Sequence, residues 1–244
     1  ELGRIYKFTT LIMNMKPDEH EFKVMGMAPY AKEHYFKKIY KNVFKDIHKF
    51  SGLSIVHKKR PKDLYLFLKD KLKHERFDNI AGAVQYYLES IVNELLTKIF
   101  KKYGVKKFFF SGGISMNIKM YNTFIKNKNI LKIYNAPSGS DESLSIGACY
   151  YLNRNYSSHP LENLYLGLPV SENKESIFRL VKKEFKKNYK VSYKVNPKEI
   201  AKLLFKNKII ALADGREEFG ARALGARSII ANPSDPENVK QINE

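Results

Sequence analysis

The chain has 244 residues, 43% of them apolar, and a formal net charge of +19 at pH 7. Its 13 glycines and 9 prolines are ordinary for a protein with a packed core, which excludes collagen-like and low-complexity chains. The single cysteine excludes an internal disulfide, and no apolar run approaches the ~18 residues of a membrane span, so we expect a cytoplasmic protein without a membrane partner.

The basic charge is unevenly distributed along the chain. Residues 32–76 contain fourteen Lys or Arg and five Asp or Glu, whereas residues 211–244 contain four and six. The excess is otherwise dispersed, as in a solvated, lysine-rich surface. We therefore expect no nucleic-acid partner, although a basic nucleic-acid-binding fragment without catalysis stays open as an alternative.

The first thirty residues carry one candidate phosphate ligand. The chain begins with Glu-Leu-Gly rather than Met, which predicts a fragment. Lys23 precedes a glycine-containing apolar turn and could place its ammonium against a phosphate. The alternative is a helix end stopped by Gly26 and Pro29, and the sequence favours it.

Residues 32–77 are predicted to form helices and loops at the periphery. No pair of the histidines in this region has the i, i+4 spacing of a helical metal site, so we expect them on the surface. These histidines are His34, His48, His57 and His74.

The clearest helix is predicted for residues 78–104. Asp78 can cap its start, and Gly104 lies where a left-handed glycine commonly ends a helix. Gln85 lies among the apolar positions and is either a buried polar contact or without a role. The apolar face is formed by Ile80, Val84, Tyr87, Leu88, Ile91, Leu95 and Ile99.

A short buried strand is predicted next at 105–110, and a second short strand at 131–135, each followed by a Gly/Ser loop. The first loop contains Gly112 and Gly113, and the second contains Ser138 and Gly139. A buried helix is predicted for 144–152. Open α/β sheets bind ligands at the carboxyl ends of their strands, so this pattern predicts a nucleotide pocket with Asp141 at its mouth. A helix N-cap is the alternative role for Asp141.

A second α/β unit is predicted to begin near Leu168. Residues 151–170 lose periodicity and gain Asn, Ser and Pro, which predicts a linker or a domain edge. Helices are predicted at 174–187 and 197–207, and strands at 191–195 and 209–212.

The last motif, DGREEFGARALGARS at 214–228, favours an anion site. Arginine presents a planar fork of donors to phosphate or carboxylate oxygens, and glycines let the backbone close around a small anion. The alternative is a surface helix with Arg–Glu pairs, but three glycines would each cost such a helix about 1 kcal/mol. The arginines are Arg216, Arg222 and Arg227, and the candidate ion-pair partners are Glu217 and Glu218.

Four ordered motifs resemble those of the O-carbamoyltransferases of the nodulation-protein and cephem-biosynthesis type. They are HEFKVMGMAPYA, FSGGISMN, PSGSDESLSIGA and GREEFGARALGARSIIANPSDPENVKQIN. The resemblance covers nearly the whole chain and is weakest over residues 32–77.

The resemblance implies an α/β protein with two domains. Residues 1–168 would be the C-terminal portion of an actin-like, sugar-kinase-like ATPase domain, and residues 169–244 the start of a YrdC-like domain. The implied substrates are ATP, carbamoyl phosphate and an alcohol acceptor. The second domain would form carbamoyl adenylate, and the first would pass the carbamoyl group to a hydroxyl.

The resemblance also implies roles for single residues. Gly112, Gly113 and Asn117 match the nucleotide loop, with Lys23, Ser138 and Gly139 as further candidate nucleotide contacts. Asp141 matches the ligand of a divalent metal, generally iron. The residues Arg216, Glu218, Arg222 and Arg227 match the opening of the second domain and would hold carbamoyl phosphate or the adenylate.

The sequence departs from the family pattern at two positions, with Ala221 in place of Pro and Ala226 in place of Asn. The paired histidines and the first phosphate loop of the family lie upstream of its matching motifs, and neither is in this sequence. A tRNA threonylcarbamoyl transferase-like protein is the alternative enzyme, favoured by the basic charge and opposed by the motif at 214–228.

Overall fold

The structure, a computed structural model, describes residues 2–58, 61–136, 138–156, 159, 161–170, 174–184, 190–192 and 195–243. It divides into two compact units, Glu1–Leu144 and Ser145–Glu244, so the division lies upstream of the predicted boundary after residue 168. Both units combine helices with small sheets, which confirms the α/β class. Within the described ranges, no helix has the length and apolar character needed to cross a lipid bilayer.

Four helices and a hairpin form the first part of unit 1. The helices are α1 (Leu2–Ile12), α2 (Glu21–Met27), α3 (Glu33–Ile39) and α4 (Leu64–Lys71), with a 3-10 turn at Ala28–Tyr30 and a π-helical turn at Tyr40–Phe44. Strands β1 (His48–Ser51) and β2 (Ser54–His57) pair antiparallel in the region predicted to hold only helices and loops. The surface prediction is wrong for His48, which is 8% exposed and contacts the Tyr87 hydroxyl.

Helix α5 (Phe77–Tyr103) confirms the predicted central helix, and Gly104 follows it in the left-handed conformation at φ 68°. The predicted capping role of Asp78 is wrong, because the N-cap residue is Arg76. Asp78 instead lies in the first turn, and its carboxylate accepts a 2.9 Å bond from the Arg76 guanidinium, which lowers the pKa of Asp78. The buried apolar side chains of α5 are Ile80, Val84, Tyr87, Leu88, Val92 and Leu96.

The core of unit 1 is organised around α5. Side chains from α1, α2, α3, α4 and the Tyr40–Phe44 turn join it in one buried cluster. Each large apolar side chain in such a cluster contributes about 1.5–3 kcal/mol by leaving water. The largest fully buried members are Phe44, Phe124, Ile5, Leu68, Leu72, Ile80 and Met120.

Strands β3 (Lys107–Phe110) and β4 (Lys132–Asn135) form a parallel pair joined by a 3-10 turn (Gly113–Met116) and α6 (Ile118–Ile125). Two burial predictions are wrong here. Phe109 is 67% exposed, and α7 (Ser143–Leu152) is a helix with no buried residue. Both segments are rich in apolar residues, but the described residues cover only the β3 face formed by Phe108 and Phe110.

A buried polar network joins α1, α5 and the start of α6. Gln85, 3% exposed, exchanges two amide hydrogen bonds of 2.9 and 3.0 Å with Asn117 and accepts one of 3.0 Å from the Tyr6 hydroxyl. Burial raises the pKa of Tyr6, so this hydroxyl stays a donor. Asn117 also accepts the Met120 N–H at 3.1 Å, which caps α6. Gln85 is therefore the buried polar contact that the sequence left open.

Replacing Asn117 with alanine should destabilise unit 1 by roughly 2–3 kcal/mol, because it removes a helix cap and the two buried hydrogen bonds between the Asn117 and Gln85 amides. Chemical denaturation monitored by circular dichroism measures the loss. Asn122→Ala, an exposed amide on the same helix, should cost much less. Equal losses would contradict the structural role of the Gln85–Asn117 pair.

Unit 2 contains three further helices and a second hairpin. The elements are α8 (Lys174–Glu184), α9 (Pro197–Phe205), β5 (Ile210–Ala213), β6 (Arg227–Ile230) and α10 (Pro236–Asn243), with β5 and β6 antiparallel. A capping box of Asn196 and Glu199 begins α9, which together with β5 confirms the predicted helix–strand order. The predicted helix end at 185–187 and part of the predicted strand at 191–195 lie outside the described residues.

Candidate functional site

The two Gly/Ser loops lie side by side at the carboxyl edge of the β3–β4 pair. Phe110 is in register with Asn135, so both strands end at the same edge. The Ala136 N–H bonds the Phe110 carbonyl at 2.9 Å, which extends the pairing to the start of the second loop. This juxtaposition, expected from the sequence, is confirmed.

The first loop leaves its backbone open. Gly112 adopts φ 94° and ψ 162°, and Gly113 begins the 3-10 turn. Both glycines are exposed, and a methyl group added at either would meet no atom within 4 Å. Main-chain N–H groups at such a position are accessible to an anion of the size of a phosphate.

The second loop packs directly onto the first through Gly139. A Cβ at Gly139 would lie 1.9 Å from the Ser115 Oγ and 3.1 Å from the Gly112 carbonyl oxygen, so only glycine allows this approach. Ser138 is buried and donates its hydroxyl to Glu142, which lowers the pKa of that carboxyl. The Ser138 hydroxyl and the Gly139 N–H also contact the Met116 sulfur of the first loop, at 3.8 and 3.2 Å. Ser138 and Gly139 therefore hold the two loops together.

Asp141 lies exposed beyond this contact, and its carbonyl accepts the Leu144 N–H at 3.0 Å. In the described part of the chain, no three His, Cys, Asp or Glu side chains converge as a metal site would require. These residues therefore do not form a complete metal centre, and Asp141 offers one carboxylate ligand. Its role as a metal ligand stays a prediction.

Two other predicted nucleotide contacts, Asn117 and Lys23, have protein partners in this structure, and their contact with a nucleotide stays a prediction. The Asn117 side chain is engaged in the network with Gln85 and as the α6 cap. The Lys23 ammonium lies 3.2 Å from the His20 Nε2 and over the Phe22 ring. Among the residues described, no hydrogen bond or ion pair joins Lys23 to the glycine loops.

In unit 2 the motif at 214–228 forms a loop with positive-φ glycines at 215, 220 and 225, so the rejected surface helix is indeed absent from it. Residues 164–170, predicted to be a linker, pair with this loop instead. The Phe219 N–H donates to the Leu164 carbonyl at 2.7 Å. The Gly167 N–H donates to the Glu217 carbonyl, and the Glu217 N–H donates to the Leu168 carbonyl, both at 3.0 Å. The linker prediction is wrong for these residues.

The guanidinium groups of Arg216 and Arg227 bond main-chain carbonyls. Arg216 donates to Gly167 at 2.9 Å and to Leu166 at 3.1 Å. Arg227 donates to the Asp214 carbonyl at 3.0 Å and to the carbonyl of Ala226 at 2.9 Å. Both arginines thus hold the loop and the 164–170 segment together. Arg216 and Arg222 are exposed, and Arg227 is half-buried.

Glu218 organises the same loop from inside. Its carboxylate accepts the N–H groups of Leu224 at 3.0 Å, Ala226 at 2.7 Å and Arg227 at 2.9 Å. These bonds favour the ionised form and lower the pKa of Glu218 from 4.5 to about 2. Glu218 therefore fixes the path of the loop around Arg222.

Sequence reasoning missed Ser115 and Gly167. A Cβ at Gly167 would lie 2.6 Å from the Glu217 Cβ, so this glycine lets two backbone segments meet. Ser115 is buried beneath Gly139, and its hydroxyl has no hydrogen-bond partner among the described residues. Ser115 lies in the quoted FSGGISMN motif, but no local pattern distinguishes it from a surface serine.

Comparison with known proteins matches both units. A family model described as "Carbamoyltransferase N-terminus" matches residues 1–150, and one described as "Carbamoyltransferase C-terminus" matches residues 201–244. An uncharacterized protein of Methanocaldococcus jannaschii is 29% identical over 99% of this chain and 41% of its own length.

Two nodulation proteins are also similar. Nodulation protein NolO of Bradyrhizobium diazoefficiens is 25% identical over 91% of this chain and 42% of its own length. Nodulation protein U of Sinorhizobium fredii is 24% identical over 80% of this chain and 33% of its own length. The chain thus spans less than half the length of these relatives.

Proposed function

Because the chain belongs to the carbamoyltransferase family, we propose that it is part of an ATP-dependent enzyme that carbamoylates a hydroxyl group. The donor is carbamoyl phosphate, the activated intermediate is carbamoyl adenylate, and the acceptor is a small molecule or a sugar. The observation that carries the proposal is the open glycine backbone at the carboxyl edge of two parallel strands.

Unit 1 is proposed to bind the nucleotide at this edge. The Gly112–Gly113 backbone would face the phosphate groups, while Ser138 and Gly139 keep the second loop against the first through the Met116 sulfur. Ligand sites at the carboxyl ends of parallel strands are the rule in open α/β sheets. Asn117 and Lys23 are proposed as further nucleotide contacts, and Asn117 also caps the helix that follows the first loop.

Unit 2 is proposed to form the adenylate. Water first displaces phosphate from the carbonyl carbon of carbamoyl phosphate, which leaves carbamate and inorganic phosphate. A carbamate oxygen then attacks the α-phosphorus of ATP, the bond from that phosphorus to pyrophosphate breaks, and carbamoyl adenylate and pyrophosphate result. The acceptor hydroxyl oxygen then attacks that carbonyl carbon, AMP leaves, and the hydroxyl proton is released. Arg222 would contact the anionic donor, and Arg216, Arg227 and Glu218 would hold the loop that presents it.

A divalent metal, iron by resemblance, is proposed to use Asp141 as one ligand. The described residues form no group of three or more candidate metal ligands, so we assign no step of the reaction to a metal. For Asp141 we propose only that its exposed carboxylate, next to the two loops, is one ligand of the metal.

The proposal predicts that Gly113→Val weakens ATP binding at least tenfold, because the side chain occupies the space in which a phosphate would approach the backbone. The open surroundings of Gly113 leave room for valine without displacing protein atoms. Isothermal titration calorimetry of the 244-residue chain with ATP measures the affinity. Carbamoyl-phosphate-dependent pyrophosphate release measures adenylate formation.

Gly147→Val in α7 is the matched control, since this glycine is equally open but lies on another element. The control should bind ATP like the unaltered chain. Absence of ATP binding by the unaltered chain, or equal affinity of the Gly113→Val protein, would overturn the assignment of the glycine loop.

A further inference from the structure

A polar groove lies between α5 and α6 in unit 1, next to the start of α3. Its volume is about 290 Å³, close to the lower end of the range of small-molecule sites, roughly 300–1,000 Å³. One sugar ring with one substituent is a ligand of suitable size. Phe36 and Ala28 border it on the side of α3 and the 3-10 turn.

The two helix faces that line the groove are unusual for helices in contact. Each contributes positions at i, i+3, i+4 and i+7, which lie on one side of a helix. Helix faces that pack directly on each other are generally apolar. Here, apart from one glycine, every residue on these two faces carries a polar group. The positions are Gly82, Gln85, Tyr86 and Glu89 on α5, and Lys119, Asn122, Thr123 and Lys126 on α6.

The lining combines the groups that recognise a sugar with a positive charge. Asn122 and Thr123 offer an amide and a hydroxyl to ligand hydroxyl groups, and the Tyr86 ring offers an apolar face. Lys119 and Lys126 form no ion pair with any described residue. The groove is lined by these two positive charges and by one carboxylate, that of Glu89. The excess positive charge favours a ligand with one anionic substituent.

The groove is connected to the nucleotide loop by a short path. Gln85 lines the groove, and its amide is paired with Asn117, which directly follows the 3-10 turn that Gly113 begins. The Glu89 carboxylate accepts a 2.7 Å bond from the same Gln85 amide. A ligand in the groove would therefore lie against the residues that hold the loop.

We propose that the α5–α6 groove binds an anionic hexose, with the charge on a carboxylate or a phosphate, as the hydroxyl-bearing acceptor. Its role as acceptor rests on the proposed carbamoyl transfer, whereas the binding of the sugar does not. Lys119 and Lys126 bind the anionic substituent, and Asn122, Thr123 and Glu89 bind hydroxyl groups.

Calorimetric titration of the 244-residue chain with glucuronate, glucose 6-phosphate, glucose and inorganic phosphate tests the proposal. At least one anionic sugar should bind, and at least tenfold more tightly than both glucose and inorganic phosphate. The preferred anionic sugar distinguishes carboxylate from phosphate. Lys119→Gln/Lys126→Gln should lower that affinity at least tenfold, because each lost ammonium removes a charge-assisted bond.

Lys128→Gln/Lys132→Gln is the matched control, because it removes the same charge from exposed lysines outside the groove. Equal effects of the two double variants, or equal affinity for inorganic phosphate, would overturn the proposal. ATP titration of the Gly113→Val protein reports separately on the nucleotide loop. Loss of the proposed function therefore remains distinguishable from loss of the sugar site.

Discussion

Replacing Gly82 with alanine is expected to destabilise unit 1 by about 1–3 kcal/mol, as overpacking of a filled core does. A Cβ at this position would lie 2.4 Å from the Ala31 Cβ and 3.1 Å from the Phe36 Cβ. The 2.4 Å contact joins two atoms fixed close to their backbones, so α5 must move away from the 3-10 turn and α3. The gain of about 1 kcal/mol in helix propensity offsets only part of this cost.

Gly26→Ala is the matched control, since Gly26 also lies within a helix but has no atom within 4 Å of a built Cβ. This variant should be neutral or more stable by up to about 1 kcal/mol. Thermal and urea denaturation monitored by circular dichroism compare the two. The opposite order of stability would show that α5 does not approach the 3-10 turn as closely as described.

Glu218→Gln is expected to loosen the loop at 214–228. Three main-chain N–H groups bond the Oε1 atom of Glu218, and the Arg227 N–H also bonds Oε2. Glutamine has no negative charge to strengthen these bonds, and it has an NH2 donor in place of one of the two acceptor oxygens. Amide hydrogen exchange at Leu224, Ala226 and Arg227 should become faster by at least about tenfold. Neighbouring Glu217→Gln, with the same change of charge, should leave these three rates nearly unchanged.

The same carboxylate predicts a dependence on pH. The pKa of Glu218 is lowered from 4.5 to about 2 in the folded protein, so its contribution to stability is fully present above pH 4.5. That contribution is lost as the pH falls through about 2, where the folded carboxylate also becomes protonated. Protection of the three amides should therefore decrease between these pH values in the unaltered chain.

In the Glu218→Gln protein this decrease should be absent over the same pH range, because the amide does not titrate. Hydrogen exchange at a series of pH values, corrected for the intrinsic exchange rate, provides the comparison. Parallel pH profiles of the two proteins would contradict the assignment of the titration to Glu218.

Arg216 and Arg227 show which features of the site can be predicted from the sequence and which cannot. The alternation of arginine and glycine correctly excluded a helix at 214–228, because helix propensity is local. Arg216 bonds the carbonyls of residues 166 and 167, and Arg227 bonds those of residues 214 and 226. The bonds of Arg216 exist only because the loop pairs with a segment about fifty residues upstream. No periodicity in residues 151–170 indicates that pairing, so the sequence predicts only a linker or a domain edge there.

The sequence by itself determined α5, its glycine end and the two loops that follow β3 and β4, because periodicity and turn chemistry act over a few residues. Only the tertiary structure decided that Gln85 pairs with Asn117, that Gly139 lies on Ser115, and that the polar faces of α5 and α6 enclose a groove. These features depend on contacts between residues distant in the chain, which packing around α5 brings together. Burial was mispredicted for Phe109 and α7 because apolar composition does not specify which surface covers a segment.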